Sequence, residues 1–148
     1  MRQQVSQLSQ TCFYHLRRLR SVSQQLGHDV TAKLVSAFVL SRLDCCNAVL
    51  TELPASTLAP LQRVLNAAAQ VVVGLGPRDH VTSSLCELHW LPIAVRIDYK
   101  ICLLVLKLFV GQVPDYITEL LTPAASDPSR SSLRSSSSSN LIVRRARR

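Results

Sequence analysis

His80, Cys86 and His89 fall within ten residues, and the Cys86 to His89 interval is one that zinc ligands use. A closed zinc site needs four ligands, and no fourth partner stands nearby. The expected reading is therefore a turn histidine, a core cysteine and a histidine beside the single tryptophan, Trp90. Cys45 and Cys46 are adjacent, so on a helix they face different directions and cannot share a partner. Buried free thiols are expected there. No cysteine sits at a Gly-rich turn that would present a nucleophile. The one Gly-rich segment, GLGP at residues 74–77, lacks the Lys and the helix start of a phosphate cradle. No cofactor or small-molecule substrate is implied.

The basic residues offer more. Arg144, Arg145, Arg147 and Arg148 form a terminal RRARR cluster dense enough for nonspecific contact with RNA or DNA. Arg17, Arg18 and Arg20 sit beside an apolar helical stripe, and Arg96, Lys100 and Lys107 share a face of a second helix, where they can meet phosphates or simply stay solvated. No sequence-reading motif accompanies them. Asp44 and Asn47 stand one turn apart, as do Arg63 and Asn66. Buried polar groups need partners, so the two sets are expected to meet between helices.

The elements that must hold these residues read as helices. The chain has 148 residues, 47% hydrophobic but 5% aromatic, which suits one core of aliphatic side chains on packed helices. Net charge is +8, unevenly placed. Residues 1–121 carry eleven Lys and Arg against eight Asp and Glu, or +3, while residues 122–148 carry six Arg against one Asp, or +5. Five cysteines leave one unpaired, and the polar MRQQVSQLSQ start offers no apolar signal core. An intracellular protein, nuclear or cytoplasmic and not secreted, is expected. The most apolar run, Ile101 to Leu106, is far too short to span a membrane.

Val5, Leu8, Cys12, Leu16, Leu19 and Val22 recur at steps of three and four, which predicts an amphipathic helix ended by Gly27. Asp29 is placed to cap a second helix reaching about Leu50, apolar nearly all round and therefore the central, most buried one. Leu53 and Pro54 interrupt the chain, and Ser56 or Thr57 restarts it through Leu58, Leu61, Leu65, Ala68 and Val72. A short helix from Thr82 must end before Pro92. Ile93, Ile97, Ile101, Leu104, Val105 and Leu108 then line a long helix that closes the bundle and stops at Gly111. Pro114 opens a last turn, PDYITELL, and the Ser- and Arg-rich remainder is expected to be disordered.

Five blocks in order carry a resemblance. SRLDCCNAVL (41–50), LQRVLNAAAQVV (61–72), DHVTSSLCELHWLPIAVRIDYKICLLVLK (79–107), PDYITELL (114–121) and RSSLRSS (130–136) together resemble the C-terminal region of reverse transcriptases of non-LTR retrotransposons, the chicken-repeat and jockey-like kind. The resemblance spans about residues 5–143. It implies a helical thumb and the segment beyond it, which follow the polymerase palm and would grip a template and primer duplex. The sequence departs from that pattern at Cys45, where Tyr is usual, at Leu65, where Gln is usual, at Gln70, where Arg is usual, and near Ser84, where Pro is usual. The Gln70 change removes a positive charge that would face nucleic acid. The paired aspartates that hold magnesium for nucleotidyl transfer have no counterpart, because no two Asp are adjacent in the 148 residues. No catalytic or metal-binding residue carries over.

The expectation is an all-α bundle of about five helices over residues 1–121 with a disordered basic tail at 122–148. Functionally, it is a non-catalytic polymerase remnant with weak, nonspecific nucleic-acid binding. The alternative is a helical interaction module that self-associates through apolar surface once turned toward the palm.

Overall fold

The computed structural model describes residues 1–76 and 79–119. All of its regular elements are helical, and no strand occurs among the described residues. The chain divides into two compact units, Met1–Cys102 and Leu103–Arg148. The disordered tail expected at 122–148, and the boundary expected before it, lie outside the described residues.

In the first unit, α1 (Arg2–Leu26) buries Val5, Ser9, Cys12, Leu16 and Leu19 along one side. Gly27 ends it at φ +74°, a conformation that costs glycine little. The next helix, α2 (His28–Val35), takes Gly27 as its cap, and the expected cap Asp29 stands in the first turn, where its charge suits the helix dipole. A π-helical turn, Ser36–Leu40, links α2 to α3 (Ser41–Asp44). Its wider winding keeps Val35, Val39, Leu40 and Leu43 all buried.

The helix expected to run to Leu50 stops at Asp44. Cys45 turns extended, Cys46 takes the left-handed conformation at φ +53°, and Asn47–Leu50 form a 3₁₀ turn. A side chain in the left-handed region costs of order 1 kcal/mol, so the bond of Asp44 to Arg96 and the burial of Asn47 must hold the break open.

The central element is instead α4 (Ala55–Val73). It buries Thr57, Leu61, Val64, Leu65, Ala68, Ala69, Val71 and Val72, more than any other helix. The reason is side-chain size as much as pattern: Ala68 and Ala69 are both fully covered, so neighbouring backbones approach closely. At its end, Gly74 sits at φ +74° while Gly74 and Leu75 both return N–H bonds to the Gln70 carbonyl.

After this, α5 (Thr82–Glu87) is a short helix, and His89 at φ +54° turns the chain toward α6 (Ile93–Phe109). Gln62 Oε1 accepts the Ile93 N–H at 2.9 Å and so supplies the cap that α6 lacks in its own sequence. The apolar stripe expected to close the bundle is buried only at Ile93 and Ile97; Ile101, Val105 and Leu108 are half-buried and Leu104 is exposed.

The second unit comprises, among described residues, the last turns of α6, Gly111 at φ +72° and α7 (Asp115–Thr118), for which Pro114 is the cap residue. Leu106, Phe109, Val110 and Tyr116 are exposed there.

Candidate nucleic-acid interface

The expected residues separate into three environments. On α1, the sequence from Arg2 to Leu26 contains four arginines and no carboxylate. Arg17, Arg18 and Arg20 are all exposed on its second half. Arg18 Nη1 donates to the Tyr14 hydroxyl at 3.0 Å, and its guanidinium lies 5.9 Å from the centre of the Tyr14 ring. Arg20 donates to the Leu75 carbonyl at 3.2 Å, which anchors it beside the end of α4. Arg17 stands one turn from both Tyr14 and Arg20, so one aromatic ring is followed by three cations on the exposed side of α1.

A fourth cation comes from another helix. Burial raises the Cys12 thiol above its ordinary pKa, and the charge of Arg42, an exposed residue of α3, acts in the opposite sense. His15, on the same stretch of α1, stacks on Phe38 of the π turn at 5.7 Å. Nothing in the local sequence links Arg42 to α1. Tyr14, by contrast, is legible from its four-residue spacing to Arg18.

Arg96 differs from the expectation of a phosphate-facing cation. It does not present a free charge: its guanidinium donates to both oxygens of Asp44, at 2.8 and 2.9 Å, and to the Leu91 carbonyl at 2.8 Å. Its side chain retains 14% exposure, against 43% for Asp44. With Nη1 shared between the two carboxylate oxygens and Nε held by Leu91, the largely buried guanidinium makes this pair an internal fastening. This pair also replaces the expected contact of Asp44 and Asn47 with Arg63 and Asn66. Asn66 accepts instead from Gln62 at 2.9 Å within its own helix, and Arg63 is exposed.

Lys100 is half-buried and borders a pocket of about 230 Å³, together with Asp44, Asn47, His89, Arg96 and Tyr99. Asn47 is 4% exposed, and its Oδ1 has no hydrogen-bond partner among the described residues. Lys107, in the second unit, is exposed in the last turns of α6. Arg144, Arg145, Arg147 and Arg148 lie outside the described residues.

The cysteines differ from expectation. Cys12 alone is buried, while Cys45, Cys46, Cys86 and Cys102 are exposed. Cys45 and Cys46 were expected inside a helix; the break after Asp44 turns both outward, with their sulfurs 3.9 Å apart. The thiol of Cys45 is raised above its ordinary pKa by its bond to Cys46, by the Cys46 charge and by desolvation, in that order. His80 and His89 border different pockets, and among the described residues no group of three or more His, Cys, Asp or Glu comes together to hold a metal ion. No described helix is long and apolar enough to cross a membrane.

No protein-family model, curated protein or solved structure matches the chain.

Proposed function

We propose that the chain is a non-catalytic helical remnant of a retrotransposon RNA-directed DNA polymerase. What it retains is nonspecific contact with the phosphates of RNA or DNA. The observation that carries this reading is the second half of α1, where Arg17, Arg18 and Arg20 are exposed beside Tyr14 on a helix without a single carboxylate. Such a surface attracts phosphate by releasing condensed counterions and has no means of reading base edges. Lys107 and the terminal arginines extend the same chemistry.

In support of the retrotransposon origin, the blocks that carry the resemblance hold one another. Asp44, in the first, binds Arg96, in the third, and Gln62, in the second, caps the helix that begins at Ile93. Fluorescence anisotropy with a duplex of unrelated sequence tests the binding. Affinity should fall about 10- to 100-fold between 50 and 200 mM salt for two to four phosphate contacts. Salt-independent binding, or none at low salt, would refute it.

Exposure of Leu106, Phe109, Val110 and Tyr116 in the second unit favours a second reading, self-association through apolar surface. Light scattering separates the two. A dimer that persists at high salt and ignores nucleic acid supports this second reading over the first.

A further inference from the structure

Cys45 and Cys46 form a pair that phosphate binding does not use. Successive residues of a continuous helix point about 100° apart, so adjacent thiols cannot meet there. The break after Asp44 removes that obstacle: Cys45 is extended at ψ 118°, Cys46 is left-handed at φ +53°, both are exposed, and their sulfurs lie 3.9 Å apart. Both flanks are anchored. Asp44 is held by Arg96, the Cys45 N–H donates to the Ser41 carbonyl at 3.0 Å, the Cys46 carbonyl accepts the Val49 N–H at 3.1 Å, and Asn47 is buried. With the backbone fixed on either side, only side-chain rotation is left to adjust, and the dithiol is preorganised.

The separation selects among partners. Sulfur bonds of about 2.3 Å at a tetrahedral angle span about 3.8 Å, whereas a linear ion between the same sulfurs needs about 4.6 Å. A bent centre therefore fits without rearrangement. A four-coordinate ion such as zinc wants further ligands, and among the described residues no group of three or more His, Cys, Asp or Glu comes together to supply them. Zinc also needs thiolates, and the bond between the sulfurs holds the Cys45 thiol above its ordinary pKa. A disulfide fits poorly too. Adjacent Cα atoms across a trans peptide lie about 3.8 Å apart, short of the roughly 4.4–6.8 Å that disulfides span.

We propose that Cys45 and Cys46 chelate a trivalent arsenical, X–As(OH)₂ with X a hydroxyl or an organic group, through a bent S–As–S bridge. Arsenic(III) is soft and three-coordinate, so two sulfurs and its own X complete it. Two As–O bonds break and two As–S bonds form. Each thiol proton leaves with a hydroxyl as water, and no oxidation state changes. The reaction starts from the protonated thiols, so the raised pKa of Cys45 does not oppose it.

Native mass spectrometry of the reduced full chain, titrated with phenylarsine oxide and with arsenite, tests this. One phenylarsenic group should add per chain with loss of two thiol protons, protect both Cys45 and Cys46 from iodoacetamide, resist a monothiol and come off with a dithiol. Arsenite bound at the same two residues admits X as hydroxyl; binding of phenylarsine oxide alone restricts X to an organic group. Cys45→Ser and Cys46→Ser should each weaken binding by about 100-fold or more, the advantage of holding two bonds at once, with the helical circular dichroism retained. The double Cys86→Ser, Cys102→Ser variant and the triple Arg17→Gln, Arg18→Gln, Arg20→Gln variant should bind unchanged, which separates failure here from failure of the duplex reading. No stable adduct, an adduct that leaves Cys45 or Cys46 open to iodoacetamide or survives either serine variant, or zinc held as tightly as the arsenical would overturn the proposal.

Discussion

Arg96 Nη1 holds both carboxylate oxygens of Asp44, at 2.8 and 2.9 Å, across 52 positions of sequence. The pair fastens the start of α6 to the point where α3 breaks. Without it, little local chemistry would stop the chain from continuing helically through Cys45 and Cys46.

Removing Arg96 therefore tests the fastening. Arg96→Ala leaves the Asp44 carboxylate and the Leu91 carbonyl without their donor and should cost about 1–3 kcal/mol, the larger values being tempered by the partial exposure of Asp44. For a domain of this size that lowers Tm by roughly 5–15 °C, measurable by circular dichroism. Arg96→Lys should recover only part of the loss, because a single ammonium nitrogen cannot hold Asp44 and also supply the second nitrogen, Nε, that donates to the Leu91 carbonyl.

Asn47→Leu should do the reverse. Replacing a buried amide that lacks a partner by an apolar side chain of similar size removes a desolvation penalty of about 1–3 kcal/mol, so chemical denaturation should show a more stable protein. An unchanged or lower stability would mean that the amide is satisfied in solution.

Cys46 is predicted to accept glycine with profit. At φ +53° a Cβ is strained, and Cys46→Gly should raise stability by up to about 1 kcal/mol, whereas Cys46→Val should lower it. Thermal unfolding of the two variants gives opposite shifts if the α3 break is as described.

Thiol labelling distinguishes the buried cysteine from the rest. In the native protein Cys45, Cys46, Cys86 and Cys102 should react with iodoacetamide and Cys12 only on unfolding, as read by peptide mass spectrometry. Because the Cys45 thiol is raised mainly by its bond to Cys46, less of it is thiolate near pH 8 than in a free cysteine. Cys46→Ala should accordingly speed alkylation at Cys45, and an unchanged rate would refute that coupling.

Much of the fold was legible because it is written locally. The stripe from Val5 to Leu19 placed α1, Gly27 and Gly111 marked its end and that of α6, and Thr82 to Pro92 bounded α5. What sequence could not show depended on distant partners. The stop at Asp44 follows from Arg96, the capping of Ile93 from Gln62, and the centrality of α4 from the close fit of Ala68 and Ala69. Of the candidate site, the α1 arginines were visible as a cluster beside an apolar stripe, but charge alone did not reveal that Arg96 is consumed internally. Asn47 looked like half of a polar pair, and only burial shows that its oxygen is left over.

On the proposed function, Arg17, Arg18 and Arg20 of the carboxylate-free α1 make the phosphate contacts. The most direct measurement is the slope of log affinity against log salt for duplex binding, compared between the native protein and the triple Arg→Gln variant. The variant should show a slope shallower by about two to three, with weaker binding at low salt. Equal slopes in the two proteins would contradict it.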